Sequence, residues 1–329
     1  MDQLRELHQK RVSRRNFLAG ASAVGAAGAA TALAGCGGNA TPTAVTTNPA
    51  YVDADYLNFA LNLEYLEASF YLYAATGSGL PTASMGTGTG LGTVASGATM
   101  VAGLTTAQQN IINEIAFDEL AHVNFLRAAI ASEGGTPVPM PNINITTAFN
   151  SLAAAANSLT PAAGLGTTFN PYASFSNFLI GAFIFEDVGV TAYSGAAPAL
   201  TSATNLNYAA GILAVEAYHA AYVRTSITAI AQASGSNTLI GYANAVSALR
   251  GSLGGGNETA LTALPATIAT NGNYTASSIV AATSANAIAY ARTTDQVMHI
   301  VYGTAGGAGV SSGVFFPNGL NGNIKTTAS

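Results

Sequence analysis

Two Glu-x-x-His pairs stand in this sequence: Glu119 with His122, inside Asp118-Glu119-Leu120-Ala121-His122, and Glu216 with His219. Both lie in long apolar runs. A spacing of three places carboxylate and imidazole on one face of a helix. Two more acids sit in equally apolar surroundings. Glu64 lies among Leu57, Leu61, Leu63 and Phe70, and Glu186 follows the run Phe178 to Phe185. A tyrosine stands seven residues after each, Tyr71 and Tyr193, two turns along the same face. An arginine stands five residues after each His, Arg127 and Arg224. The order Glu and Tyr, then Glu-x-x-His and Arg, therefore occurs twice, as in a bundle of two related helical hairpins.

Such a set suits a pair of metal ions. One Glu from each of two helices and one Glu-x-x-His from each of two others give four carboxylates and two imidazoles, and four negative charges balance two divalent cations. Without metal, four carboxylates facing one another in an apolar core would have to hold protons. Carboxylate and imidazole donors without thiolates suit Fe or Mn. The expected ligands are Glu64, Glu119, His122, Glu186, Glu216 and His219. Glu67 shares a face with Glu64 and is either a further ligand or a supporting group; the Tyr at +7 favours Glu64. Tyr71 and Tyr193 either pack in the core or donate to ligating carboxylates. Asp118 and Asp187 are supporting or surface groups, with ligation the less favoured role. Arg127 and Arg224 lie off the ligand face and are expected in solvated or inter-helix ion pairs with Asp187, Asp118 or Glu114. His122 and His219 could each be a satisfied core histidine. Their shared register with a Glu and with an acid-bearing partner helix favours ligation. His299, four residues after Asp295, reads as structural.

Four long helices must position these groups. The pattern predicts helices over 53–75, capped by Asp53; 105–132, stopped by Gly134-Gly135 and Pro137; 172–196, with Pro198 beyond; and 202–233, before Gly235. A short helix is expected over 146–159, a fifth long one over 238–253 and a sixth over 276–301. Residues 77–103 read as a long loop and 303–329 as irregular structure. Strand signals are few, so the class is all-α: a four-helix bundle over 51–235 with a helical and irregular C-terminal extension over 236–329.

The chain has 329 residues, 49% of them hydrophobic and only 8% charged, so each internal charge carries information. The formal charge of −5 supplies no basic footprint for nucleic acid, and a single Cys excludes an intramolecular disulfide. Residues 1–35 resemble a twin-arginine export signal: a basic n-region, Ser13-Arg14-Arg15-Asn16-Phe17-Leu18, then an Ala/Gly-rich core. The ending Leu33-Ala34-Gly35-Cys36 resembles a bacterial lipobox. That resemblance implies lipidation at Cys36, a linker over 36–50, and a periplasmic or envelope location on a membrane anchor. The twin-arginine route carries folded proteins, which suits cytoplasmic loading of a cofactor.

The run Leu57-Asn58-Phe59-Ala60-Leu61-Asn62-Leu63-Glu64 with Tyr71 resembles the first helix of bacterioferritins, and Asp118 to His122 resembles their second. Over residues 53–235 the chain looks like a ferritin-like di-metal carboxylate protein, near the group that includes plant desiccation-related proteins. The resemblance implies a ferritin-like four-helix bundle, the six ligands above, two Fe or Mn ions, and reaction with O2 or peroxide. Ferroxidase, peroxidase and catalase-like activities all use such sites. The alternative is a non-catalytic, stress-protective envelope protein that keeps the bundle as a scaffold. The long 77–103 loop and the extension depart from ferritins and speak against a storage cage, leaving a homodimer as an open assembly.

Overall fold

The computed structural model describes residues 51–262, 279–283 and 286–328. The signal segment, Cys36 and the 36–50 linker lie outside these residues. The chain is helical, with helices Asp53–Thr76 (α1), Thr82–Met85 (α2), Thr106–Ser132 (α3), Thr147–Leu159 (α4), Phe175–Ala196 (α5), Ala203–Ser234 (α6), Thr238–Gly254 (α7) and Thr294–Tyr302 (α8). Among the described residues there is no strand, only two isolated bridges, Val94 with Ile143 and Ala282 with Ala289.

Local chemistry sets the helix ends. The Asp55 carboxylate accepts from the Val52 N–H at 2.9 Å, and Gly77, at φ 73°, closes α1 in the left-handed conformation that glycine adopts without strain. Thr105 and Gln108 form a reciprocal box at the start of α3. Ser174 and Ser202 accept the Asn177 and Asn205 amides at the starts of α5 and α6. The Asp53 carboxylate takes the Thr201 and Ser202 amides and the Asn205 side chain, fastening the start of α1 to the start of α6.

Packing pairs α1 with α3 and α5 with α6, and α1 with α5 across the bundle. The four long helices divide into two kinds. On α3 and α6 only one face is buried, and the outer face exposes Phe117, Phe125, Leu206 and Tyr218. By contrast, α1 is buried nearly all round from Tyr56 to Ala75, and α5 from Phe178 to Tyr193. A helix that is apolar on every side needs cover on every side. Here α4, α7, α8 and the tail supply it. By length and composition α5 could cross a membrane, but 83% of its most apolar window is buried within the protein, as befits a core helix. Phe70 and Phe149 bring α1 and α4 together with Tyr172, Phe178, Phe185 and Phe315, with ring centroids 5.0–5.9 Å apart. The irregular tail is held by main-chain bonds: Phe315 to Val301, and Asn321 in both directions with the Asn62 side chain at 3.0 and 2.9 Å.

The extension also brings buried charge. The Arg224, Arg250 and Arg292 side chains are at most 2% exposed. Asp187 accepts from Arg224 at 2.8 Å and Arg250 at 2.7 Å, and Glu258 from Arg250 and Arg292, each at 2.6 Å. Arg250 also donates to the Phe183 carbonyl and lies 4.5 Å from the Phe183 ring centre. The expected Arg224–Asp187 pair is therefore present as an inter-helix pair, and it is buried. Arg127 donates to the Tyr65 hydroxyl at 2.7 Å instead of pairing with an acid. Replacing Asp187 by Ala would leave Arg224 and Arg250 without their shared carboxylate. The expected loss is about 3–5 kcal/mol of unfolding free energy, and urea denaturation against wild type checks it.

The structure corrects one helix. Of the helix expected over 276–301, only Thr294–Tyr302 forms, and 276–278 and 284–285 lie outside the described residues. Residues 279–283 and 286–293 are not helical, because tertiary contacts override their alanine-rich propensity. The Arg292 N–H bonds the Thr191 carbonyl at 2.9 Å, and its guanidinium reaches Thr191 Oγ1 and Glu258. The Arg292 main chain passes so near Gly195 of α5 that a Cβ at residue 195 would collide with the Arg292 carbonyl. Thr293 then caps α8 by accepting the Gln296 amide.

Candidate metal centre

Helix periodicity turns Glu64 and Glu67 of α1, Glu119 and His122 of α3, Glu186 of α5, and Glu216 and His219 of α6 into the bundle core. All seven are buried. Six of them form two overlapping groups. Glu64, Glu119, His122 and Glu216 each offer one donor atom within 4.8 Å of the others, and so do Glu119, Glu186 and His219. Glu119 belongs to both. His122 Nδ1 lies 3.2 Å from Glu64, 3.6 Å from Glu119 and 3.8 Å from Glu216. His219 Nδ1 lies 2.9 Å from Glu119 and 3.7 Å from Glu186.

The protein leaves the converging atoms without partners. Both carboxylate oxygens of Glu119 and of Glu216, Glu186 Oε2 and His219 Nδ1 are buried and make no hydrogen bond. The close approach of His219 Nδ1 to Glu119 Oε1 is thus a contact without hydrogen-bond alignment. Buried polar atoms are almost always satisfied, and each exception costs about 1–3 kcal/mol. A cluster of orphaned oxygens and an imidazole nitrogen, all aimed inward, fits the coordination demands of divalent cations.

Groups around the cluster hold it in place. Tyr71 of α1 donates to Glu186 Oε1 of α5, and Tyr193 of α5 donates to Glu64 Oε1 of α1. Each tyrosine therefore serves the glutamate of the opposite helix, which seven-residue spacing alone did not reveal. Asp118, half-buried on α3, accepts from His219 Nε2 at 3.2 Å. That bond leaves Nδ1 to face the carboxylates. Asp187 turns away from the cluster onto the arginines. Glu67 belongs to neither donor group. It lines a small cavity of about 10 Å³ with Gly189, Phe185 and residues Ile300, Val301 and Phe315 of the extension. His299 bonds the Thr304 carbonyl at 2.8 Å, a structural role. Gly189 was not foreseen. A Cβ there would land on Glu216 Oε2, so this glycine is what lets the carboxylate lie against α5. A glycine inside a long apolar helix is the sequence signal that could have marked it.

Without metal, protons must do the balancing. Burial raises Glu64 to about 7 and Glu186 to about 8, against the pull of His122 and His219 respectively. Burial and the surrounding carboxylates push Glu67 and Glu216 well above the ordinary range. Burial also acts on Glu119, but the two imidazoles that face it outweigh burial and pull it to about 2. Burial would lower the histidines. Glu64 and Glu119 instead carry His122 to about 11, and Glu186, Glu119 and Asp118 carry His219 to about 9. In the metal-free chain, cationic imidazoles stand where metal charge would otherwise serve.

Comparison with known proteins agrees with this geometry. The ferritin-like domain family matches residues 52–229, the span of the four long helices. The chain is 32% identical over 283 residues to the ferritin-like catalase Nec2 of Nesocodon mauritianus, covering 83% of this chain and 84% of that protein. It is 34% identical over 176 residues to the desiccation-related protein PCC13-62 of Craterostigma plantagineum, covering 52% of each. With the bundle and its buried carboxylate–histidine cluster, these matches show that the chain belongs to the ferritin-like family.

Proposed function

We propose that this protein is an exported di-metal oxidoreductase that holds two Fe or Mn ions in its bundle core and acts on peroxide or O2. The convergence of six buried donors, with Glu119 common to both groups and its oxygens otherwise unpartnered, carries the reading. Similarity to a protein named as a catalase favours peroxide disproportionation, two H2O2 giving O2 and two H2O. A bound pair of Fe or Mn ions supplies the two-electron change that this reaction needs. The protein's part is arrangement. Tyr71 and Tyr193 fix the orientations of Glu186 and Glu64, and Asp118 fixes the His219 ring. The apolar walls from α1, α5 and α8 keep bulk water from the inner side. Glu67 lines the small apolar cavity beside the cluster, on the side closed by α8 and Phe315.

Export through the twin-arginine route and lipid anchoring at Cys36 belong to the same proposal, supported by the order of Arg14-Arg15, the apolar core and Leu33-Ala34-Gly35-Cys36. A second reading, a stress-protective scaffold without turnover, draws on the similarity to the desiccation-related protein. Metal content of natively exported protein, followed by oxygen release from added peroxide, separates the two. The proposal expects about two Fe or Mn per chain, the number its donor set can hold, together with oxygen evolution. A metal-free, fully stable and inert protein establishes the scaffold instead.

A further inference from the structure

Two cavities lie end to end beside the metal centre. The inner one is the space of about 10 Å³ at Glu67. It reaches the donor cluster at Gly189, where a Cβ would meet Glu216 Oε2. The outer one, of about 20 Å³, lies between α4, α5, α7 and α8. Ile184 of α5 and Ile300 of α8 line both spaces, so these two buried side chains form the partition. Gly254 lets α8 sit against α7 at this point, since a Cβ there would meet Ile300 and the Gln296 carbonyl. The outer cavity ends at Phe169 and Leu253, which are half-buried and within reach of solvent. Its α7 and α8 walls lie beyond residues 52–229, the span that the ferritin-like domain family matches.

The lining decides what these spaces hold. The outer wall is apolar, and its one charged residue, Arg250, turns its guanidinium to Asp187, Glu258 and the Phe183 carbonyl. Water or peroxide entering there would leave its hydrogen bonds behind. Apolar cavities accordingly stay dry and take apolar guests such as xenon. One water-sized molecule needs about 10–15 Å³, so each space takes a single small guest and excludes an organic substrate. Glu67 is the one acid on the inner wall and marks where the polar cluster begins.

We propose that the two cavities bind O2 and form its route between the metal centre and the surface at Phe169 and Leu253, with Ile184 and Ile300 as the partition that it passes. The capacity for an apolar diatomic gas follows from the cavities alone. O2 as the occupant rests on the function proposed above, in which O2 is the product of peroxide disproportionation or the oxidant. The polar side of the cluster, where Asp118 reaches solvent beside His219, is left to peroxide and water. A third cavity of about 20 Å³, between α1, α5 and α6, shares Leu63 with the inner one and is the competing route.

Xenon-pressurised crystals of the full-length protein test the sites, and oxygen release from added peroxide tests the route. Wild type is expected to show one xenon in each of the inner and outer cavities. Ile184→Phe, which fills the partition, is expected to lose the inner xenon, keep its metal content and release O2 with kcat lowered about fivefold or more. Ile300→Val, which widens the partition without overpacking the core, is expected to raise xenon occupancy at a given pressure. Wild-type crystals with xenon in neither cavity, or in the third cavity instead, overturn the proposal. Unchanged occupancy in Ile300→Val overturns the partition, and wild-type O2 release from an Ile184→Phe protein that has lost its xenon overturns the route. Xenon bound by a protein with no metal and no turnover overturns O2 as the occupant along with the proposed function, and leaves the gas sites standing.

Discussion

Replacing Glu119 by Gln is expected to empty both metal positions at once. No other side chain is common to the two donor groups. Its carboxylate lies 2.9 Å from His219 Nδ1 and 3.6 Å from His122 Nδ1, so it faces both imidazoles across the bundle. The amide keeps the shape but removes the negative charge and turns one acceptor into a donor pair aimed at cations. Loss of a mere supporting partner of a ligand already costs about 10–100-fold in affinity, and a shared ligand should cost more at each position. Peroxide turnover, where wild type shows it, is expected to fall at least about 100-fold. Metal analysis by mass spectrometry after gel filtration checks the first outcome. Glu114→Gln, exposed on the same helix, is the control and should bind metal as wild type does. Retention of two ions per chain in the Glu119→Gln protein would show that the shared carboxylate is not a ligand.

Metal removal is expected to make stability strongly dependent on pH, falling as pH rises. Glu64 and Glu186, raised to about 7 and about 8, keep protons in the folded metal-free chain that the unfolded chain releases above about 4.5. Their contribution is complete below the unfolded value and is lost as pH climbs through the folded ones. His122 and His219 act in the same direction: their contribution is complete below about 6.5 and disappears as pH rises through about 9 for His219 and about 11 for His122. Within the cluster Glu119 runs the other way: its contribution is present above about 4.5 and is lost as pH falls toward about 2, below the range at issue. Each group that holds a proton over one extra pH step shifts the balance by about 1.4 kcal/mol. Thermal melts of chelated protein should therefore show a clear drop in Tm from pH 5 to pH 9. Metal-loaded protein should give a flatter profile, because bound cations take over the role of the protons and bind more tightly as pH rises. Parallel pH profiles for the two forms would refute this account of the cluster.

The donor set could be found in the sequence because its information is local. A Glu-x-x-His spacing fixes two ligands on one helix face whatever the helix packs against, and acids embedded in apolar runs have few other uses. The four long helices were legible for the same reason, since their caps and stops lie in adjacent residues such as Ser174, Ser202 and Gly235. What the sequence hid is what depends on partners far along the chain. Asp118 meets His219 across 101 positions, and Tyr193 meets Glu64 across 129. The buried arginine network joins α5 and α6 to Glu258 and Arg292, which no local pattern links. The alanine-rich stretch before α8 reads as helix by propensity, yet residues 286–293 are not helical, and Arg292 at their end bonds α5 at Thr191 and passes close to Gly195.

The placement of the arginines has a practical consequence for proteolysis. From Tyr51 onward the chain carries five basic residues, Arg127, Arg224, Arg250, Arg292 and Lys325. Three are sealed in the core, Arg127 is half-buried, and Lys325 alone is exposed. Trypsin meets almost no usable bond on the folded surface and must wait for the bundle to open. Cleavage after Arg224 or Arg250 thus clocks opening of the α5–α6–α7 core itself, and the rate at which it appears compares metal-loaded with metal-free protein without any added dye or denaturant.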